Sequence, residues 1–202
     1  MADTRLDGKV AVITGAGRGI GQAIALAYAG AGAAVCCAAR TFEQLDATVK
    51  AIEDAGGRAM GVGTDVADYA SVAGLFERAV AAFGGVDVVV AGAGASPENK
   101  RVEESDPLKW ARTIEVNLTG AFHTAKAAIP YLRMRDAGKI IFIGSGMGHR
   151  SGPTRSAYAT SKAGLWMLTR VLAQELAADD ICVNELIPGP VLTALIAGRE
   201  GR

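Results

Sequence analysis

The chain has 202 residues, 21 Lys+Arg against 21 Asp+Glu, and a half share of hydrophobic residues. That length suits one domain, the apolar share supplies a core and excludes disorder, and balanced charge argues against a nucleic-acid or anionic-membrane surface. Met1–Gly8 has no apolar signal region and no apolar run reaches the ~18 residues that span a bilayer, so a cytoplasmic protein with reduced thiols is expected.

In chain order, short β-branched runs alternate with longer helical stretches. They predict strand Val10–Thr14, helix Ile20–Ala31, strand Ala34–Ala39, helix Phe42–Ala55, strand Arg58–Gly63 and helix Ser71–Phe83. There follow strand Val86–Ala91, helix Asp106–Leu132, strand Lys139–Ile143, helix Ser156–Ala177 and strand Ile181–Leu186. Several strands are apolar nearly throughout, as parallel strands covered on both faces must be. Thr41 with Gln44 reads as a capping box, and Asp106 followed by Pro107 as N-cap and N1. Gly32, Gly56–Gly57 and Gly84–Gly85 stop helices before the next strand. This alternation means βαβ units: a Rossmann-like doubly wound parallel sheet, a three-layer α/β/α sandwich, in one domain over 1–202. The cysteines Cys36, Cys37 and Cys182 form neither a disulfide framework nor a metal-ligand pattern, so all three are expected to pack in strands and no metal is expected.

The first strand runs straight into Gly15-Ala16-Gly17-Arg18-Gly19-Ile20-Gly21 and a helix. Glycines there permit a tight turn and close approach of the backbone to a pyrophosphate resting on the helix N-terminus. Glycine in a turn alone is weak evidence, but this one follows the first strand of a βαβ series, as the motif requires. The second strand ends without the acid that would accept from a ribose 2′-hydroxyl; Ala39 is followed by Arg40. Arg40 and Arg18 suit a 2′-phosphate, which favours NADP(H) over NAD(H). The bland alternative is a pair of solvated surface arginines.

The fifth strand ends at Ser145, on the edge where doubly wound sheets bind ligands. Tyr158 and Lys162 follow at i, i+4 on one helical face. An ammonium beside a phenol favours the phenolate and suits the phenol to acid/base work. Alone, such a pair reads as an ordinary amphipathic helix.

The combination resembles the short-chain dehydrogenase/reductase family from about Leu6 to Leu192. The resemblance rests on the Thr14–Gly21 turn, Asp65-Val66, Asn117, Ser145, Tyr158, Lys162 and Pro188-Gly189. It implies reduction of a ketone to a secondary alcohol, or the reverse, with Tyr158 as acid/base and Ser145 hydrogen-bonding the substrate oxygen. Lys162 tunes Tyr158 and holds the nicotinamide ribose, and Asn117 anchors a water that feeds protons towards Lys162. Asp65, with Val66, contacts the adenine end, and Val191 contacts the carboxamide. Where the family has Asn-Asn-Ala-Gly, this chain has Ala91-Gly92-Ala93-Gly94 at the cofactor edge, without the amides that would brace that strand. The usual last helix and strand are not in these 202 residues.

Among the remaining candidates, His123 reads as structural or surface, and His149, Arg150 and Arg155 as a solvated loop near the substrate mouth. Met147 is expected on the pocket wall, and Trp166 and Met167 in the core or a subunit contact. A small-molecule substrate and a homodimer or homotetramer are expected. The competing reading is a dinucleotide-sensing or scaffold protein that kept the fold without turnover; fold alone does not choose between them.

Overall fold

Strands covered on both faces need apolar residues at every position, and the central strands supply them. The structure, a computed structural model, describes residues 5–96, 98–150, 152–189 and 191. Strands β1–β6 span Val10–Thr14, Ala34–Ala39, Arg58–Gly63, Val88–Ala91, Lys139–Ile143 and Cys182–Leu186. Helices α1–α6 span Gly19–Gly30, Phe42–Asp54, Tyr69–Phe83, Pro107–Ile114, Gly120–Leu132 and Ser156–Glu175. The strands form one parallel sheet in the order β3-β2-β1-β4-β5-β6. Alternate residues of β1–β5 feed opposite cores. Ile13, Val35 and Val90 pack on Ala25 of α1 and Leu45 and Ile52 of α2. Val12, Val89 and Phe142 pack on Phe76 of α3, Leu132 of α5 and Leu165 of α6. No helix among the described residues is long and apolar enough to cross a membrane.

Three local expectations are corrected. The helix expected over Asp106–Leu132 is interrupted: α4 and α5 are joined by a π-helical turn, Glu115–Thr119. The Thr41 capping box does not form, because Thr41 makes no side-chain cap. The Gln44 side chain lies instead against Gly17, where an added Cβ would come within 3.0 Å of Gln44 Cβ. Cys182 is exposed, because β6 is an edge strand among the described residues. Cys36 and Cys37 are buried as expected, and burial pushes both thiols up to about 12. The Asp106 cap also forms, its carboxylate accepting from Leu108 N at 2.8 Å. Helix α3 starts two residues early, at Tyr69, capped by Asp68 accepting from Ala70 N.

At the amino edge of the sheet, buried Asp87 joins three strands. Its backbone N–H donates to Val10 O and its carbonyl accepts from Lys139 N, both at 2.9 Å. Its carboxylate accepts from Val10 N at 2.9 Å and from both Nε and Nη2 of Arg135 at 3.1 Å. Burial pushes the Asp87 carboxyl up, but Arg135, the Val10 amide and Lys9 outweigh it and hold the group below its ordinary range. Asp87→Asn is expected to cost about 2–3 kcal/mol, since it leaves Arg135 without its charged partner. Because the native carboxyl binds its proton less readily than the unfolded one, this stabilisation is present above about pH 4 and lost as pH falls further. Denaturant melts of both proteins between pH 7 and pH 3 check it; the gap between them should close on the acid side.

Candidate active site

The sheet order reverses between β1 and β4, so their following chains part and leave a crevice at the carboxyl edge. A cleft of about 220 Å³ lies there. The phosphate-type turn lines it with Gly15, Arg18, Gly19, Ile20 and Gly21, and Arg40 follows from the end of β2. Asp65, Val66 and Gly92 line it too, and Tyr158 and Lys162 line the far end. Of the other expected residues, Gly17, Ala91, Asn117, Ser145, Met147 and Val191 are not among the described lining. Gly17 faces α2, Asn117 is buried behind the wall, and Val191 is exposed beyond Pro188, which does line the cleft.

Backbone geometry explains the turn. Gly15 and Gly19 have φ +73° and +60°, which only glycine adopts cheaply. A Cβ on Gly15 would come within 2.8 Å of the Gly92 carbonyl, and one on Gly21 within 2.3 Å of Gly15 O. The turn is thus pressed onto the chain leaving β4. Thr14 fastens the same junction: its Oγ1 accepts from Gly92 N at 3.2 Å and Ala93 N at 3.4 Å. Thr48 of α2 bridges Ala16 O and Gln44 O, at 3.1 and 3.0 Å. Helices α3 and α4 begin at aspartate N-caps, but α1 does not: Arg18 at its N-cap makes no side-chain cap and its first turn holds no acid. The amide groups of that turn are left for an anion.

The sides of the cleft are held by links that no motif announced. Asp65 accepts from Ala67 N at 3.1 Å and from Arg112 at 2.8 Å, and Arg112 also reaches Glu115 at 2.7 Å. Burial raises the Asp65 carboxyl, but the Ala67 amide, Arg112 and Arg40 together hold it below its ordinary value. His123 is structural, its Nδ1 lying 3.0 Å from Val66 O. The amide of Asn117 is fully engaged. Its Nδ2 donates to Ala95 O at 2.9 Å and Ser161 Oγ at 3.0 Å, and its Oδ1 accepts from Ala95 N at 2.7 Å. Ser161 Oγ in turn donates to Tyr158 O at 2.7 Å. The π turn, the chain after β4 and the first turns of α6 are one hydrogen-bonded unit. Thr14 and Asn117 therefore brace the stretch that has no Asn in Ala91–Gly94.

At the far end, Lys162 is 5% exposed, and its Nζ donates to Ile143 O at 2.6 Å and lies 5.8 Å from the Tyr158 ring centre. The next residues of that chain carry Ser145, whose Oγ accepts from Met147 N at 3.2 Å. Gly148 closes the loop on α6, where a Cβ would come within 2.8 Å of Lys162 O. An ammonium, a phenol and a hydroxyl are thus gathered around the end of β5.

A model of the short chain dehydrogenase family matches residues 9–200. The chain is 42% identical over 190 residues to cis-4-hydroxycyclohexanecarboxylate dehydrogenase of Sinomonas cyclohexanicum, covering 94% of this chain and 76% of that protein. It is 41% identical to 3beta-hydroxysteroid dehydrogenase 1 of Eggerthella lenta, covering 95% and 74% respectively. Its fold superposes with a TM-score of 0.92 on a short-chain type dehydrogenase/reductase from Mycobacterium marinum, at 36% identity, covering 96% of this chain and 77% of that one.

Burial pulls Lys162 down from 10.5 to about 8, while the charge of Glu185 works against the fall. Between pH 8 and 10.5 the unfolded chain binds a proton at this position that the folded chain does not, so this group makes stability rise with pH across that window. Below pH 8 the buried ammonium costs about 3 kcal/mol, of which the bond to Ile143 O returns about 1. Lys162→Met should therefore melt above the wild type at pH 7, with the gap shrinking by pH 10. Calorimetry at both pH values checks it.

Proposed function

Because this chain belongs to the short-chain dehydrogenase family, we propose that it is an NADP(H)-dependent oxidoreductase interconverting a carbonyl and a secondary alcohol, with Tyr158 as acid/base. The observation that carries this reading is the buried Lys162 beneath Tyr158, at the end of the cleft remote from the uncapped α1 N-terminus. The family implies a nicotinamide dinucleotide, and the cleft suits one. The amides of α1 would meet a pyrophosphate, the glycines would leave room for its approach, and Asp65 with Val66 would flank the adenine end. When bound, the dinucleotide supplies or takes up the hydride.

The chain's own residues handle the proton. Tyr158 Oη gives a proton to the oxygen of the nascent alkoxide in reduction and takes it back in oxidation. The Lys162 ammonium stabilises the phenolate left behind, and its bond to Ile143 O fixes where that charge sits. Ser145 Oγ already accepts from Met147 N, which leaves its own O–H to donate to the substrate oxygen. Asn117 acts through Ser161 as the brace of the Tyr158 turn.

Ala38 and Ala39 line the cleft without an acid, and Arg40 and Arg18 stand at the same end, exposed. That charge supports a 2′-phosphate and hence NADP(H). The two relatives are named for a hydroxycyclohexanecarboxylate and a hydroxysteroid, which supports a ring-borne secondary alcohol as substrate class. Phe122 on α5 and Met167 and Val171 on α6 are exposed apolar side chains that support self-association.

Tyr158→Phe keeps the ring and removes the proton donor, so kcat should fall about 10²–10⁴-fold with cofactor affinity retained. Near-normal turnover on a panel of ring ketones with NADPH would remove Tyr158 from the reaction. Arg40→Ala should raise the KM for NADPH about tenfold to a hundredfold and leave that for NADH unchanged, since one charge-assisted bond to phosphate is lost. Equal effects on the two cofactors would make Arg40 a surface residue.

A further inference from the structure

Beneath the Ser145 loop lies a carboxylate that the reaction above does not use. Glu185 on β6 stands opposite Phe142 of β5, and Phe142 packs in the core shared with α6. The Glu185 side chain is only 6% exposed, and among the described residues its Oε1 has no hydrogen-bond partner. A buried carboxylate so poorly partnered is expensive and invites a reason.

Its surroundings supply one. A Cβ on Gly144 would fall 1.7 Å from Glu185 Oε1, so only glycine leaves the space that the carboxylate fills at the start of the loop. At the other end of the loop, His149 Nε2 lies 3.5 Å from Glu185 Oε2. The His149 ring also meets Trp166 edge-on at 5.3 Å, and Arg170 lies 5.0 Å over that indole. One carboxylate thus touches both ends of the segment that carries Ser145. The titratable groups gathered around it are His149 from the loop and Lys162 from α6. Its charge favours the ammonium of Lys162, which burial disfavours.

We propose that Glu185 is a positioning residue, whose buried carboxylate clasps the Ser145 loop through Gly144 and His149 and places a fixed negative charge behind Lys162. The inference rests on the roles assigned above to Ser145 and Lys162.

Three variants test it: Glu185→Gln, Glu185→Asp and His149→Gln. Hydrogen–deuterium exchange of the 144–149 segment, on the protein alone, reads the clasp. The pH profile of kcat reads the charge. Glu185→Gln should speed exchange about tenfold and lower kcat about tenfold, with the KM for the cofactor nearly unchanged. It should also move the alkaline limb of kcat to lower pH by about half a unit to one unit, because the charge that favours the Lys162 ammonium is then gone. Glu185→Asp should return the limb towards its original position. His149→Gln should speed exchange while leaving the limb in place. Unchanged exchange in Glu185→Gln, or an unmoved limb, would overturn the proposal. If Glu185→Gln does not fold, His149→Gln still decides the clasp, and unchanged exchange there overturns it. Ser145→Ala is the control for the underlying reading: full turnover in that variant sinks the reaction assignment, whereas the exchange result stands or falls on its own.

Discussion

The carboxyl ends of β1 and β4 are pressed together more closely than side chains would allow, and the cleft is a consequence of that contact. Gly15 and Gly92 face each other with no room for a Cβ on Gly15, and the Thr14 hydroxyl accepts from two successive amides of the opposing chain. With their ends fastened, the two chains can only diverge, one into α1 and the other towards α4. The wedge between them is where the α1 amides point. A larger residue at either glycine would push the strands apart and turn the helix end away from the crevice. The anion site therefore depends on packing between backbones, more than on any polar side chain.

Lys162 shows the opposite use of burial. In the apolar core burial stabilises; here it holds an ammonium against its preference beside a phenol, in a place where water screens its charge little. The fold accepts that cost because the bond to Ile143 O and the seat of Gly148 on Lys162 O tie the end of β5, the Ser145 loop and α6 into one rigid corner. At the amino edge, Asp87 and Arg135 do the stabilising work far from that corner. The candidate site and this ion pair thus lie on opposite edges of one sheet.

Much of this was legible in the residues alone. The bounds of β1, β2 and β5 follow from apolar runs, because strands covered on both faces leave little ambiguity, and those of β3 from the glycines that flank and end it. The Asp106 cap was equally plain, since its signal is local. What escaped was decided by partners far away in the chain. The Thr41–Gln44 cap lost to the packing of Gln44 on Gly17. Arg112 gave no sign that it would hold Asp65, and Glu185 none that it would lie under Gly144. The exposure of Cys182 depends on which strand is at the sheet edge, and strand order is not written in any one strand. The break between α4 and α5 escaped because five residues of π turn carry no glycine, proline or other local stop signal of their own.

That widened turn is a gear change. A residue added to a helix without leaving the helix rotates everything beyond it by about 100°, a little over a quarter of the circumference. Helix α4 can therefore address α6 while α5, continuing the same rod, addresses α3. A loop could achieve the same redirection, but its ends would be free to wander, and the phase between the two helices would blur. Here the phase is locked by Asn117 to the chain after β4 and to Ser161. Losing one residue from 115–119 would leave the rod intact and put it out of step with one of its two neighbours, α6 or α3.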